Sequence, residues 1–546
     1  MDSWSVCTRA RGHLTPTSAF LLLLCACVGS STNEDTTAVN GTDGTEDTTG
    51  GTTTAGESDG PTWEPVPARG IRLDWVEANQ AVGVPIGADG GAVGPTERIA
   101  PLLRNRRILI RAFWTIDPGF EPREIEARLH VRYADDTTET LSQTKMVEGD
   151  AFIGDLNRVF FWGIEAEDVQ PGLTYRVDLW ETSPAFDDAP EPDPPPRLPL
   201  DGSETFVGIE NSYMVMKTVV VPFEYDDGQG CSTKPDTSEA TMKLFEDLIY
   251  MQNPLDRLDY VLHDPIPWNT PLSSFVQLNQ FLSDLRFQEG ASPETYYYGL
   301  IDVCAGGLGG AGGQAYGIPS DPTSMDAAYQ RVSSGLSLQP QWSAETFVHE
   351  VGHSQGRRHV TCNGNEGGPD PSYPHEGGIV GEWGFGVLDF ALRHPSVYKD
   401  YMTYCNPTWV GTWGWNKVVP VIRALSMWDD GYGADGAPAP AEYGGSLLVG
   451  AILPNGEQLW HTVPGAIDAS ELDDTQRIEF AVGDRVVSQP TRVTELPDTT
   501  GELMIVTPLP PDFEAAKRLT RIDGARRIPI DRAKVKIGHT NRRFTR

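Results

Sequence analysis

The chain has 546 residues, 77 acidic and 42 basic, which leaves a formal net charge of −35 at pH 7. Apolar residues are 39% of it, enough for real cores, and roughly 100–200 residues per domain allows about three to five domains. So acidic a chain lacks the clustered Lys and Arg that nucleic acid or an anionic lipid surface would demand, and no apolar run approaches the ~18 residues of a membrane span.

In residues 1–27, Arg9 and Arg11 precede a short apolar stretch, Ala19 to Cys27. That order is the pattern of an export signal. The ending Leu24-Cys25-Ala26-Cys27 resembles a bacterial lipobox. The resemblance implies lipidation of Cys27 and a bacterial cell-envelope location, at the outer membrane or cell surface, with the membrane touched only through that anchor. A plain secretory signal, giving a secreted protein, is the alternative. Residues 28–62 are mostly Thr, Gly, Ser, Asp and Glu with no basic or aromatic residue, a composition that buries too little apolar surface to fold and serves as a tether.

From 63 to 210 the pattern is β. Ile125, Ala127, Leu129, Val131 and Tyr133 alternate with polar neighbours, Tyr175, Val177 and Leu179 repeat the period, and Arg107–Trp114 reads as a buried run, together a β-sandwich. From 211 to 430 strands and helices interleave. Met216–Phe223 is a strand, and Thr241, Leu244, Phe245, Leu248 and Ile249 mark a helix with Asp236 or Thr237 as cap and Pro254 as stop,. Ser273–Phe287 is a second helix, Tyr296–Val303 a strand, and Ser343 the cap of a third helix. Residues 431–442 read as a linker, and 443–546 as a second β-sandwich built on Leu447–Ile452, Ile478–Val482 and Leu503–Val506. The expected fold is therefore multidomain, an α/β (α+β) domain flanked by two β-sandwich-like domains.

Chemistry concentrates in His349-Glu350-Val351-Gly352-His353-Ser354-Gln355-Gly356-Arg357-Arg358-His359. On one helix, His349 and His353 project from the same face and can share a metal. Gly356 permits the turn that brings back His359 as a third nitrogen ligand, leaving one coordination position open, as catalytic zinc requires. Glu350 is placed to act as general base.

This segment resembles the metzincin zinc signature HExxHxxGxxH, and Asp400-Tyr401-Met402-Thr403-Tyr404-Cys405 resembles the Met-turn of that clan. The resemblance implies one catalytic zinc on His349, His353 and His359, a metzincin-like catalytic domain, Met402 as a hydrophobic floor beneath the metal, and Tyr404 at or near it, stabilising the oxyanion. It also implies a C-terminal helix within Trp409–Trp428, with Val418, Val419, Ile422 and Leu425 on its apolar side. Val360, after the third histidine, matches no major subfamily. The implied activity is endopeptidase cleavage of extracellular proteins or glycoproteins by a zinc-activated water. The alternatives are a non-catalytic surface-binding lipoprotein with a degenerate protease domain, and a zinc hydrolase of non-peptide amides.

Once the signal cysteines and Cys27 are set aside, Cys231, Cys304, Cys362 and Cys405 remain. Four cysteines in an exported chain suggest two disulfides in one of three connectivities; Cys362–Cys405 with Cys231–Cys304 is favoured, because the first pair brackets one active-site segment. Gly307–Gly312 formally matches GxGxxG, but no amphipathic helix follows it, and it is read as leading into a cleft-edge strand at Ala315-Tyr316-Gly317,. Asp226-Asp227-Gly228 is a calcium candidate without an EF-hand pattern. His375 and Glu376 are cleft or surface residues, and the remaining histidines, His539 among them, are structural or solvated.

Overall fold

Period-two burial in the sequence becomes strand in the first region. The computed structural model describes residues 63–304, 308, 310–364, 366–429 and 442–538. The expected signal with Cys27, the tether, the linker up to 441, Gly307, Gly309 and His539 lie outside the described residues. Along Arg123–Arg132, Ile125, Ala127, Leu129 and Val131 are buried and the residues between them are partly exposed. This strand is the centre of an antiparallel sheet with Thr138–Val147 and Thr174–Glu181. A second antiparallel sheet runs through Ile71–Asn79, Ile108–Ile116 and Phe160–Ile164. The inward residues of both sheets belong to one apolar core.

The middle region is built on β1 (Val215–Asp226), β2 (Tyr296–Ile301), β3 (Gly313–Ala315) and β4 (Val332–Leu336). β1, β2 and β4 are parallel, and β3 lies antiparallel at the edge of β4. β3 begins two residues earlier than the expected Ala315–Gly317 strand. Helices α1 (Glu239–Gln252), α2 (Phe275–Gln288), α3 (Pro340–Ser354) and α4 (Thr412–Ser426) complete the region. Side chains of β2 sort by period two. Tyr296, Tyr298 and Leu300 join the core that contains α1 and α3, while Tyr297 and Ile301 join the one that contains α2. Phe245 of α1 stacks on Phe347 of α3 with centroids 5.2 Å apart.

Two helix starts differ from expectation. Ser238, rather than Asp236 or Thr237, caps α1; Asp236 instead accepts from the Ser238 N–H and the Thr241 hydroxyl. Pro340 opens α3, where its missing N–H is harmless in the first turn,. Ser343 therefore lies inside the helix, its Oγ accepting the Leu338 N–H at 2.7 Å.

The C-terminal region is one seven-stranded antiparallel sheet that folds over itself. β5 (Arg485–Glu495) pairs with Asp473–Val482 through its first half and with β6 (Leu503–Pro508) through its last residues. Leu448, Ile478, Phe480, Ile505 and Leu519 fill the interior. Alternate residues Leu447, Val449, Met504 and Val506 face outward into the core shared with α2. The three regions thus pack as one unit.

Candidate metal centre

α3 carries His349 and His353 one turn apart, with ring centroids separated by 4.8 Å. The helix stops at Ser354, and Gly356 takes a left-handed backbone with φ +85°, a conformation that costs other residues a Cβ clash. The chain then returns His359 so that its Nε2 lies 3.1 Å from that of His353.

Each Nδ1 faces a backbone carbonyl: His349 that of Tyr401 at 2.7 Å, His353 that of Arg357 at 2.7 Å, and His359 that of Gly367 at 2.6 Å. A carbonyl only accepts, so every Nδ1 carries the proton and every Nε2 presents a lone pair. Two lone pairs 3.1 Å apart repel unless a cation lies between them. The residues therefore fit a nitrogen-ligated metal such as zinc.

A fourth acceptor completes the cluster. Asp498, between β5 and β6, places Oδ1 3.0 Å from His359 Nε2 and 3.4 Å from His349 Nε2, with Oδ2 3.3 Å from His353 Nε2. All four side chains form a group able to hold a metal ion. Among the described residues, His349 Nε2, Glu350 Oε2 and Asp498 Oδ2 are buried without a hydrogen-bond partner.

Electrostatics suit ligation. Burial pushes the His353 imidazole down to about 4 against the pull of Asp498, which keeps it neutral. Burial and then the Asp498 charge raise the Glu350 carboxyl well above its usual range. Asp498 is held well below that range: burial opposes its ionisation, but the three imidazoles, His353 first, outweigh it. His359 is raised, burial being overcome by Asp498.

Met402 is fully buried against α3. A Cβ on Gly352 would fall 2.5 Å from its Sδ, so the helix needs glycine there. The turn is tied down twice. Val360 N–H donates to the Met402 carbonyl at 2.9 Å, and buried Arg357 donates to Asp400, whose Oδ1 also accepts the Met402 N–H. Cys362 is bonded to Cys405 and Cys231 to Cys304, the favoured pairing. Tyr404 stands beside the cluster, its hydroxyl 3.1 Å from His359 Nε2 and donating to Asp498 Oδ1 at 2.9 Å.

The cluster opens into a cleft of about 320 Å³ lined by Gly310–Gly313, Trp342, Thr346, Glu350, Tyr404 and Asp498. His375 and Glu376 do not line it; His375 packs edge-on to Tyr373. His461 is buried between Tyr316 and Asp284, and His263 bonds Glu289. Asp226 and Asp227 accept backbone N–H groups of their own turn, and neither belongs to a metal-capable group among the described residues.

Two functional placements escape local sequence reading. Asp498 in Leu496-Pro497-Asp498-Thr499-Thr500-Gly501 reads as an ordinary hairpin turn, and nothing nearby marks it as a partner of His359, 139 positions away, or of the two histidines before it. The Arg357–Asp400 pair lies inside both quoted motifs, yet only the fold joins its halves. No protein-family model and no curated protein matches this chain.

Proposed function

We propose that this chain is a zinc-dependent metallopeptidase of metzincin type that hydrolyses peptide bonds of proteins outside the cytoplasm. One observation carries the reading: three imidazole lone pairs, each aimed by an Nδ1–H bond to a carbonyl, converge beside the buried carboxyl of Glu350. Burial of Met402 against α3 and the Tyr404 hydroxyl beside His359 support the reading, and the two disulfides agree with an oxidising compartment,. Export and a lipid anchor at Cys27 belong to the same reading.

When bound, zinc supplies Lewis acidity that polarises the scissile carbonyl and makes water a nucleophile near neutral pH. Glu350 takes the proton of the attacking water and returns it to the leaving amine; its raised pKa suits a group that must do both. The Tyr404 hydroxyl is placed to donate to the developing oxyanion. β3, at the sheet edge, offers backbone groups to an extended substrate,.

The test measures zinc per chain and cleavage of a mixed protein substrate by the whole chain. Because Asp498 enters the cleft, it is run in both the wild-type and the Asp498→Asn backgrounds, each with and without Glu350→Gln. One zinc per chain throughout is expected, with cleavage lowered by about 10²–10⁴-fold in Glu350→Gln. Equal cleavage with and without Glu350→Gln removes the assigned base. Zinc without cleavage in either background returns the chain to a non-catalytic or non-peptide function.

A further inference from the structure

Asp498 is not placed as a turn residue. Its side chain is only 7% exposed, and its two oxygens face all three Nε2 atoms at 3.0–3.4 Å. With every Nδ1–H committed to a carbonyl, a neutral imidazole has no second proton to offer it, and one metal ion among them would satisfy all four acceptors. It lines the cleft together with His349 and Glu350.

The loop is built to hold it there. Leu496 N–H closes onto the Glu502 carbonyl at 2.9 Å. Gln314 of β3 donates to Thr499 Oγ1 at 3.0 Å and to Glu502 Oε2 at 2.7 Å. The loop thereby bridges the edge strand and the histidines, across the path an extended chain would take. Leu496 and Met504, at the two ends of the loop, are rooted in the core shared with α2. Asp498 itself has φ +63°, a left-handed backbone that Asp and Asn tolerate better than most residues. Only the tip, Thr500-Gly501, is exposed.

We infer that Asp498 is a built-in fourth ligand which takes the coordination position of the hydrolytic water, so that the folded chain is latent until the 496–502 loop leaves the cleft. The inference rests on the metallopeptidase reading. It makes the C-terminal β region a regulator of the site, with the exposed tip as the point where a second protease would cut.

Two measurements on the zinc-loaded whole chain test it: affinity for a peptide hydroxamate, and zinc affinity against a competing chelator. Wild type is compared with Asp498→Asn and Asp498→Gly, which both suit the left-handed backbone, and with a chain carrying an engineered cleavage sequence between Thr500 and Gly501, before and after cutting. Circular dichroism confirms that each form is folded. If the closed state is populated about 99 times in 100, release tightens hydroxamate binding by about 100-fold. The substitutions, by removing a ligand, also weaken zinc binding, by at least the roughly 10–100-fold that loss of an outer-shell partner costs. These opposite signs are not what loss of a merely structural contact produces. Equal hydroxamate affinity in all zinc-loaded forms overturns the latch and leaves the metallopeptidase reading standing. Absence of zinc from every form overturns both.

Discussion

Three imidazoles share one electronic arrangement here, and it is imposed by carbonyls rather than by side chains. The Tyr401 and Arg357 carbonyls aim His349 and His353, and both belong to segments that the Arg357–Asp400 pair organises. Arg357 donates to Asp400 at 3.0 Å and to the Tyr401 hydroxyl at 3.2 Å, with both charged groups buried. Removing one partner of such a pair strands the other charge, at a cost of about 3–5 kcal/mol. Arg357→Leu should therefore lower the unfolding free energy measured in urea by that amount. It should also weaken zinc retention against a chelator, because the carbonyls that orient two ligands lose their support. Unchanged zinc affinity in a destabilised Arg357→Leu chain would separate the pair from the metal centre. Local sequence could suggest the three ligands, because HExxH spacing puts two on one helical face, but not which atom of each ring would face the metal.

Elements meet where α3 lies against the turn at 400–405. The apolar side marks the helix, but its cap falls at Gln339, four residues before Ser343, because Ser343 has a cap's chemistry while Pro340 has a first-turn residue's geometry. The contact with Met402 and Tyr401 decides the packing distance. A methyl group at 352 would come within 2.5 Å of Met402 Sδ and 2.9 Å of Tyr401 Cε2. Overpacking of this kind costs about 1–3 kcal/mol, so Gly352→Ala should be destabilised by that much in urea unfolding. Met402→Ala should relieve part of the cost, giving a non-additive double-mutant cycle. Strict additivity would mean that the helix and the turn are not in contact. β3 and α4 were legible to within a few residues, since Gly-rich approach and a run of apolar residues at helical spacing are local signals.

Across the whole molecule, buried polar anchors join regions that sequence patterns treat separately. Arg106, from the N-terminal β region, is fully buried and donates to the carbonyls of Gln80, Tyr250, Met251 and Leu255, closing the C-terminal end of α1. Arg106→Met would leave several buried carbonyls without donors, each worth roughly 1–3 kcal/mol. A loss of at least about 3 kcal/mol is expected in equilibrium unfolding. The loss should reach the middle region, seen as faster amide exchange in α1; protection of α1 unchanged from wild type would show that the N-terminal region is not coupled to it. At the opposite end, the C-terminal sheet shares the α2 core and delivers Asp498. By itself the sequence determined the spacing of the three histidines with Glu350 and the β character of both flanks, because helical spacing and strand alternation act over a few neighbours. Only the tertiary structure decided that Asp498 joins the histidines, that Arg357 finds Asp400, and that the C-terminal sheet packs on α2 as a single folded-over sheet. Those outcomes depend on burial and charge pairing between segments tens to more than a hundred residues apart, and no local pattern records them.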